Sequence, residues 1–322
     1  MDRRFNIGRL LCFSNFKSLR LGNKKIENTY QNNNEMKENK RTAGIAGFMK
    51  RIVTKYPVIL FAFFTILLVA IIGLLNMELF PSSFKYALMF PQWAPALAAI
   101  IVVGITNGKT GIFSLLQKVS IKNSSVKWVF AAVVIPAICC TLSYIALMLT
   151  EFGQLAMPTF TRSIGIYAIC LFATLFGSYG EEIGWRGFLL PQFNKRYSLF
   201  VSGVIVGLFW ALWHVNLLQL GLLTFGLYAL TVVSFSILIT WLCYKTKNNV
   251  FVDVIFHTVI NMCSLLLFEN VLPDLSQMQT GIQIDNVYLY TILYGIYAIV
   301  FAIASVFVVK NLLGKRTIHQ IE

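Results

Sequence analysis

Long apolar stretches set the pattern of this chain. From Tyr56 onward, blocks of about 20 apolar residues recur between short polar segments, each long enough at 1.5 Å per residue to cross a hydrocarbon core of about 30 Å. They predict eight helical spans, at roughly 57–76, 88–107, 128–150, 165–189, 198–217, 219–244, 250–268 and 287–309. The second has the weakest pattern, because Pro91, Gln92 and Pro95 fall in its first turns. No internal repeat is visible, which argues against an inverted-repeat transporter fold. The expectation is an all-α polytopic membrane domain over residues 56–310, with a segment 1–55 before it and a short tail 311–322 after it.

Composition sharpens this. Of the 322 residues 57% are hydrophobic and only 12% charged, against about 25% charged in soluble domains. The chain cannot clothe a water-facing surface, which excludes a soluble enzyme, a coiled coil and a disordered protein. The net charge of +14 would suggest nucleic acid in a soluble chain. Here cytoplasmic loops and a basic arm account for it, and no nucleic-acid partner is expected. With the N-terminus inside, 25 of the 27 basic residues fall on the inner side, leaving Lys85 and Arg162 outside. The outer loops carry Glu78, Glu151, Glu269, Asp274 and Asp285 instead. This bias predicts both termini in the cytoplasm, and the plasma membrane of a bacterium is the expected location.

Residues 1–55 hold 13 of the basic residues and no apolar h-region, so they are not a secretory signal peptide. A basic, disordered cytoplasmic arm is the first reading; an organellar presequence, or a start codon downstream at Met36 or Met49, are the others. The six cysteines show no CxxC spacing, and all but Cys12 lie in apolar segments. They read as small packing residues, with no disulfide framework and no thiolate metal site.

Ionisable side chains in the spans cluster: Glu181, Glu182 and Arg186 on span four, His214 on span five, Asp253 and His257 on span seven. At membrane depth each costs about 2.5–3.5 kcal/mol even on lenient scales, so together they imply a polar interior site. Glu182 and Arg186, at i and i+4, share a helix face and can pair. Glu181 points about 100° away from that face, without the cation, and can take a proton from water and return it. The bland alternative is that both glutamates brace Arg186. His257 and Asn261 are also i and i+4; both can donate to an oxygen acquiring negative charge, or simply clamp two helices. His214 ends the aromatic run Phe209, Trp210 and Trp213, where an interfacial role competes with a catalytic one. Asp253, one turn before His257, can orient its imidazole as a carboxylate partner or face water at the cavity lip.

The three motifs Glu181-Glu182-Ile183-Gly184-Trp185-Arg186-Gly187, His214 after its aromatic helix, and His257-Thr258-Val259-Ile260-Asn261 resemble the CAAX-protease and bacteriocin-processing family (CPBP, also called Abi). The likeness extends over roughly 125–270. It implies an eight-helix intramembrane endopeptidase with a polar catalytic cavity between helices four, five and seven, whose eukaryotic members trim prenylated CAAX proteins. By resemblance, Glu181 activates water, His214 is its partner, and His257 and Asn261 stabilise the oxyanion, with Glu182 and Arg186 in support. One position departs: the family's second motif is Phe, three residues, His, whereas Trp210 stands four before His214. Substrates are expected to be hydrophobic, lipidated or membrane-anchored peptides, cut near the cytoplasmic face, with no cofactor.

Three other functions are open on the sequence. Glu181, His214 and His257 can supply three ligands to Zn²⁺, although there is no HExxH helix. The chain can be a non-catalytic bacteriocin-immunity or peptide-binding protein, or a proton-coupled transporter. The span boundaries also raise a difficulty. They put Glu181 in the inner half of span four and His214 about 24 Å along span five, more than about 10 Å apart in depth. Catalysis therefore requires span five to start deep in a cytoplasm-facing cavity, or spans four and five to tilt.

Overall fold

In the computed structural model, the residues described are 44, 47–79, 90–121, 124–153, 163–267 and 287–314. The chain divides into two compact units, Met1–Lys55 and Tyr56–Glu322. In the first, residues 47–55 are helical. The expectations for the arm before residue 44, for the acidic outer loops at Glu269, Asp274 and Asp285, and for Lys315 and Arg316 lie outside the described residues.

The second unit is helical, and among its described residues there is no strand. Its helices are α1 (Pro57–Leu79), α2 (Ala94–Gln117, after a 3₁₀ turn Pro91–Trp93), α3 (Val126–Met148), α4 (Ile164–Glu182), α5 (Leu199–Trp213), α6 (Leu222–Lys245), α7 (Val250–Leu267) and α8 (Val287–Leu312). Each predicted span thus has its helix. Six stretches are long and apolar enough to cross a membrane, namely Pro91–Gln117, Val126–Met148, Ile164–Asn194, Leu222–Lys245, Val250–Leu267 and Val287–Leu312; α1 makes a seventh when counted with the short helix before it. Large apolar side chains stay exposed along these helices, among them Ile59, Phe63, Phe130, Ile299 and Phe307, as expected of surfaces that face lipid rather than water.

Three boundaries differ from expectation, each for a local reason. The second span runs on to Gln117, and its helical dihedrals break only at Gly108, where φ is 64°. The fifth is a 15-residue α-helix, too short by itself for a hydrocarbon core. It ends where His214 leaves the helix at φ −100°, ψ 32° and a 3₁₀ stretch Val215–Leu220 takes over. The fourth is longer than predicted, because α4 passes directly into a π-helix, Ile183–Leu189, and a last α turn, Leu190–Asn194.

Packing follows from small residues and caps. Ser163 and Ser198 cap α4 and α5, each side chain accepting the backbone N–H three residues on. Gly203 and Gly207 let α5 press on α6: a Cβ at Gly207 would lie 2.8 Å from the Val233 backbone, and Ser236 Oγ donates to Gly203 O at 2.7 Å. Such small-residue seams drive helix association where lipid removes the hydrophobic force. Elsewhere α8 lies on α6, and α7 lies on α3 and α4.

Candidate active site

The site is built where the end of α4 meets the start of α2. A Cβ at Gly180 would approach Gln92 O to 2.6 Å, and one at Gly184 would fall against Pro95, 2.7 Å from its backbone carbonyl carbon. Only glycine at both positions allows this contact, and it carries Glu181 and Glu182 into the interior between them. The π-helix that begins at Ile183 then buries every residue to Leu189. Single π turns inside α-helices recur at functional sites.

Glu181 is 2% exposed. Its Oε2 accepts from the Trp210 indole Nε1 at 2.7 Å and, weakly, from Trp185 Nε1 at 3.4 Å. The ion pairs at this site fall on its neighbour Glu182. Glu182, fully buried, accepts from Arg186 Nη1 at 2.9 Å, so the i,i+4 pair is present. The same oxygen, Glu182 Oε1, faces His257 Nδ1 at 2.9 Å. A carboxylate oxygen only accepts, so Nδ1 carries the proton, and Nε2 is the ring nitrogen left for other partners. Arg186 also lies over the Trp210 ring, 4.7 Å from its centroid, and Trp210 packs edge-on against His257 at 4.8 Å. Trp210 therefore touches Glu181, Arg186 and His257 at once.

His214 Nδ1 lies 3.1 Å from the carbonyl of Trp210. A carbonyl can only accept, which leaves the His214 Nε2 lone pair free. Glu181, His214, His257 and Asn261 all line one cavity of ≈ 170 Å³, together with Gln92, Trp210, Tyr228 and Tyr294 among others. Glu181 and His214, which the span boundaries set apart in depth, line the same cavity. Helix α5 is short, and Trp210 bonds to Glu181 one turn before the chain leaves the helix at His214.

Asp253 is the correction. It was expected to orient the His257 imidazole by accepting from its ring N–H, or to face water at the cavity lip, and it makes neither contact directly. Glu182 takes the His257 ring proton, and Asp253 is fully buried and off the cavity wall. Among the described residues no group of three or more His, Cys, Asp or Glu side chains is placed to hold a metal ion. Sequence reasoning missed Trp185, although it stands four residues after Glu181 as Arg186 does after Glu182. It also missed the cavity residues Gln92, Tyr228 and Tyr294, which come from separate segments with no shared motif.

Lys118, just past α2, joins the start of α7 to the π-helix. Its Nζ donates to Gly187 O at 2.7 Å, and its carbonyl accepts from Val250 N at 2.8 Å. Burial lowers its pKa from the ordinary 10.5.

Comparison with known proteins bears on the same segment. Residues 163–263 match the family model for the Rce1-like type II CAAX prenyl endopeptidases. Over 123 residues the chain is 32% identical to a protein of Methanococcus maripaludis named CAAX prenyl protease 2, a stretch covering 35% of this chain and 45% of that relative. The chain thus spans less than half the length of the curated relative it matches. The segment that supplies Glu181, Glu182, Arg186, Trp210, His214, His257 and Asn261 is thus the one that matches the Rce1-like type II CAAX prenyl endopeptidase family model.

Proposed function

We propose that the chain is an intramembrane endopeptidase of the CAAX type that hydrolyses peptide bonds with a water activated by Glu181. The observation that carries this reading is the single cavity onto which Glu181, His214, His257 and Asn261 all open. Glu181 Oε2 is held by the Trp210 indole, so Oε1 is the oxygen available to a water. The water gives its proton to Glu181, with His214 Nε2 accepting a hydrogen bond from it, and its oxygen attacks the substrate carbonyl carbon. The former carbonyl oxygen becomes an oxyanion, to which Asn261 Nδ2 donates. His257 donates from Nε2 as the imidazolium, its charge facing the Glu182 carboxylate. Collapse breaks the C–N bond as the proton on Glu181 passes to the leaving nitrogen; the new carboxylic acid gives its own proton to the amine, so a carboxylate and an ammonium depart and Glu181 is left ionised. No step uses a metal.

Hydrophobic or membrane-anchored peptides suit a cavity walled by Trp210, Phe235 and Tyr297 within apolar helices. The name of the relative points to prenylated C-terminal CAAX peptides. The site lies nearer the cytoplasmic face under the inside-positive topology, in a bacterial plasma membrane with both termini cytoplasmic.

The test is cleavage of a lipidated or hydrophobic reporter peptide by purified protein in detergent. Wild type is expected to cleave, with excess chelator present as well as without. Glu181→Ala should lose at least about 10²-fold in rate, the lower range for a general base, while keeping its melting temperature. A peptide-binding or immunity protein would instead keep its function in Glu181→Ala, and that result would overturn the proposal.

A further inference from the structure

One helical turn from the Glu182–His257 contact, five buried polar atoms have no hydrogen-bond partner among the described residues: Glu182 Oε2, Arg186 Nε and Nη2, and both carboxyl oxygens of Asp253. All three side chains are 0% exposed. Their register explains the grouping. Glu182 meets His257, and further along one chain and back along the other a Cβ at Gly187 would meet Val250 at 4.0 Å, so the two segments run in opposite senses. Arg186 comes four residues after Glu182 and Asp253 four before His257, which brings them level. The charges of Glu182 and Arg186 are the ones Asp253 senses. Yet the ion pairs here are Glu182 with Arg186 and Glu182 with His257, and Asp253 makes no direct pair with the guanidinium. The thiol of Cys243 lies within hydrogen-bonding reach of Asp253 as well as of Asn248 Oδ1, at 3.3 Å from the latter, and as a single weak donor it can serve only one of them at a time, so it does not satisfy both Asp253 carboxyl oxygens.

Buried donors and acceptors that face one another across more than a direct bond are where internal water is held, because each such water needs two to four polar partners. Arg186 supplies two donors, Asp253 two acceptors and Glu182 one. We propose that Asp253 and Arg186 hold a buried water site between them. Through it Asp253 is a positioning residue: it fixes the free edge of the guanidinium, which fixes Glu182, which sets the Nδ1–H orientation of His257. The site lies off the cavity, so this water is not the one that attacks substrate. The effect on catalysis rests on the peptidase reading above; the water site itself does not.

Two variants of the full chain in detergent test this. In Asp253→Leu the Arg186 donors lose their bridge; the melting temperature should fall by about 5 °C and kcat for the reporter peptide by about tenfold, with KM unchanged. Asp253→Asn keeps an acceptor for the water and should recover most of both. A buried acid with no such role predicts the reverse, an apolar isostere that is neutral or stabilising; Asp253→Leu as stable as wild type would overturn the proposal. If Asp253→Leu does not fold, the wild-type protein decides. A high-resolution structure without an ordered water within about 3.2 Å of both Arg186 and Asp253 would overturn it too. If wild type cleaves no peptide, the functional reading falls, while the melting comparison still decides the water site.

Discussion

Trp210 is the residue at which this chain departs from the pattern of the family it resembles, and the structure gives the departure a chemical content. Its indole donates to Glu181 at 2.7 Å, a bond that phenylalanine could not make, while its ring supports Arg186 and His257. Trp210→Phe should preserve the packing yet remove that donor. A hydrogen bond to a charged group contributes about 1.5–3 kcal/mol, so kcat is expected to drop by about 10–100-fold, with the melting temperature close to wild type. At Asn261, which faces the cavity, replacement by alanine removes one oxyanion donor and should cost about 10²–10³ in kcat. Steady-state kinetics on the reporter peptide check both. These residues were legible in the sequence because ionisable and amide side chains are conspicuous among apolar ones, and because i,i+4 spacing forecast the Glu182–Arg186 pair. Asp253 was misread for a related reason. The same spacing joins it to His257, but spacing within one helix cannot reveal that Glu182, on another helix, already holds the imidazole.

At the scale of elements, positions of helices were readable and their irregularities were not. Hydropathy reports how long an apolar block is, so all eight blocks appear as helices. It is blind to the switch from α to π at Ile183 and to the loss of helical dihedrals at His214, and these two breaks shape the site. Their packing partners did leave a mark, the four-residue spacing of Gly180 with Gly184 and of Gly203 with Gly207. Gly184→Ala would set a Cβ 2.7 Å from the Pro95 backbone, whereas nothing lies within 4 Å of a Cβ at Gly226 in α6. The first substitution should lower the melting temperature and the second should raise it slightly, by the roughly 0.5–1 kcal/mol that alanine gains over glycine inside a helix. Equal effects at the two sites would contradict the close contact of α4 with α2.

Lys118 belongs to the same scale, since it ties three elements together. Its folded-state pKa lies below the unfolded value of 10.5 because burial disfavours the charged form. Between the two values the unfolded chain binds more protons, so this group adds stability as pH rises through that window and penalises the fold below it. Lys118→Met should flatten the rise in melting temperature on the alkaline side, while removing the bond to Gly187 O.

For the whole molecule, charge asymmetry and apolar blocks reach further than any local motif. They separate a membrane protein from a soluble one and predict its orientation, which is open to a direct check. A reporter active only in the cytoplasm should work when fused after Leu312 and after Lys245, and fail after Glu151. Activity at Glu151 would invert the topology and move the cavity away from the inner half of the bilayer. What no pattern along one chain can supply is convergence: Gln92, Glu181, His214, Tyr228, His257 and Asn261 meet in one cavity from five different segments. The family likeness supplied part of that grouping for the three motifs, and nothing supplied it for Gln92 or Tyr228.

The central claim is that Glu181 activates a water rather than attacking the peptide itself. Single-turnover cleavage of a reporter peptide in ¹⁸O-labelled water, with enzyme in excess, tests it most directly. The account predicts one ¹⁸O in the new carboxyl terminus of the product after the first turnover and no label in the protein. An unlabelled product with ¹⁸O appearing in the Glu181 side chain would contradict it, as would the absence of any cleavage.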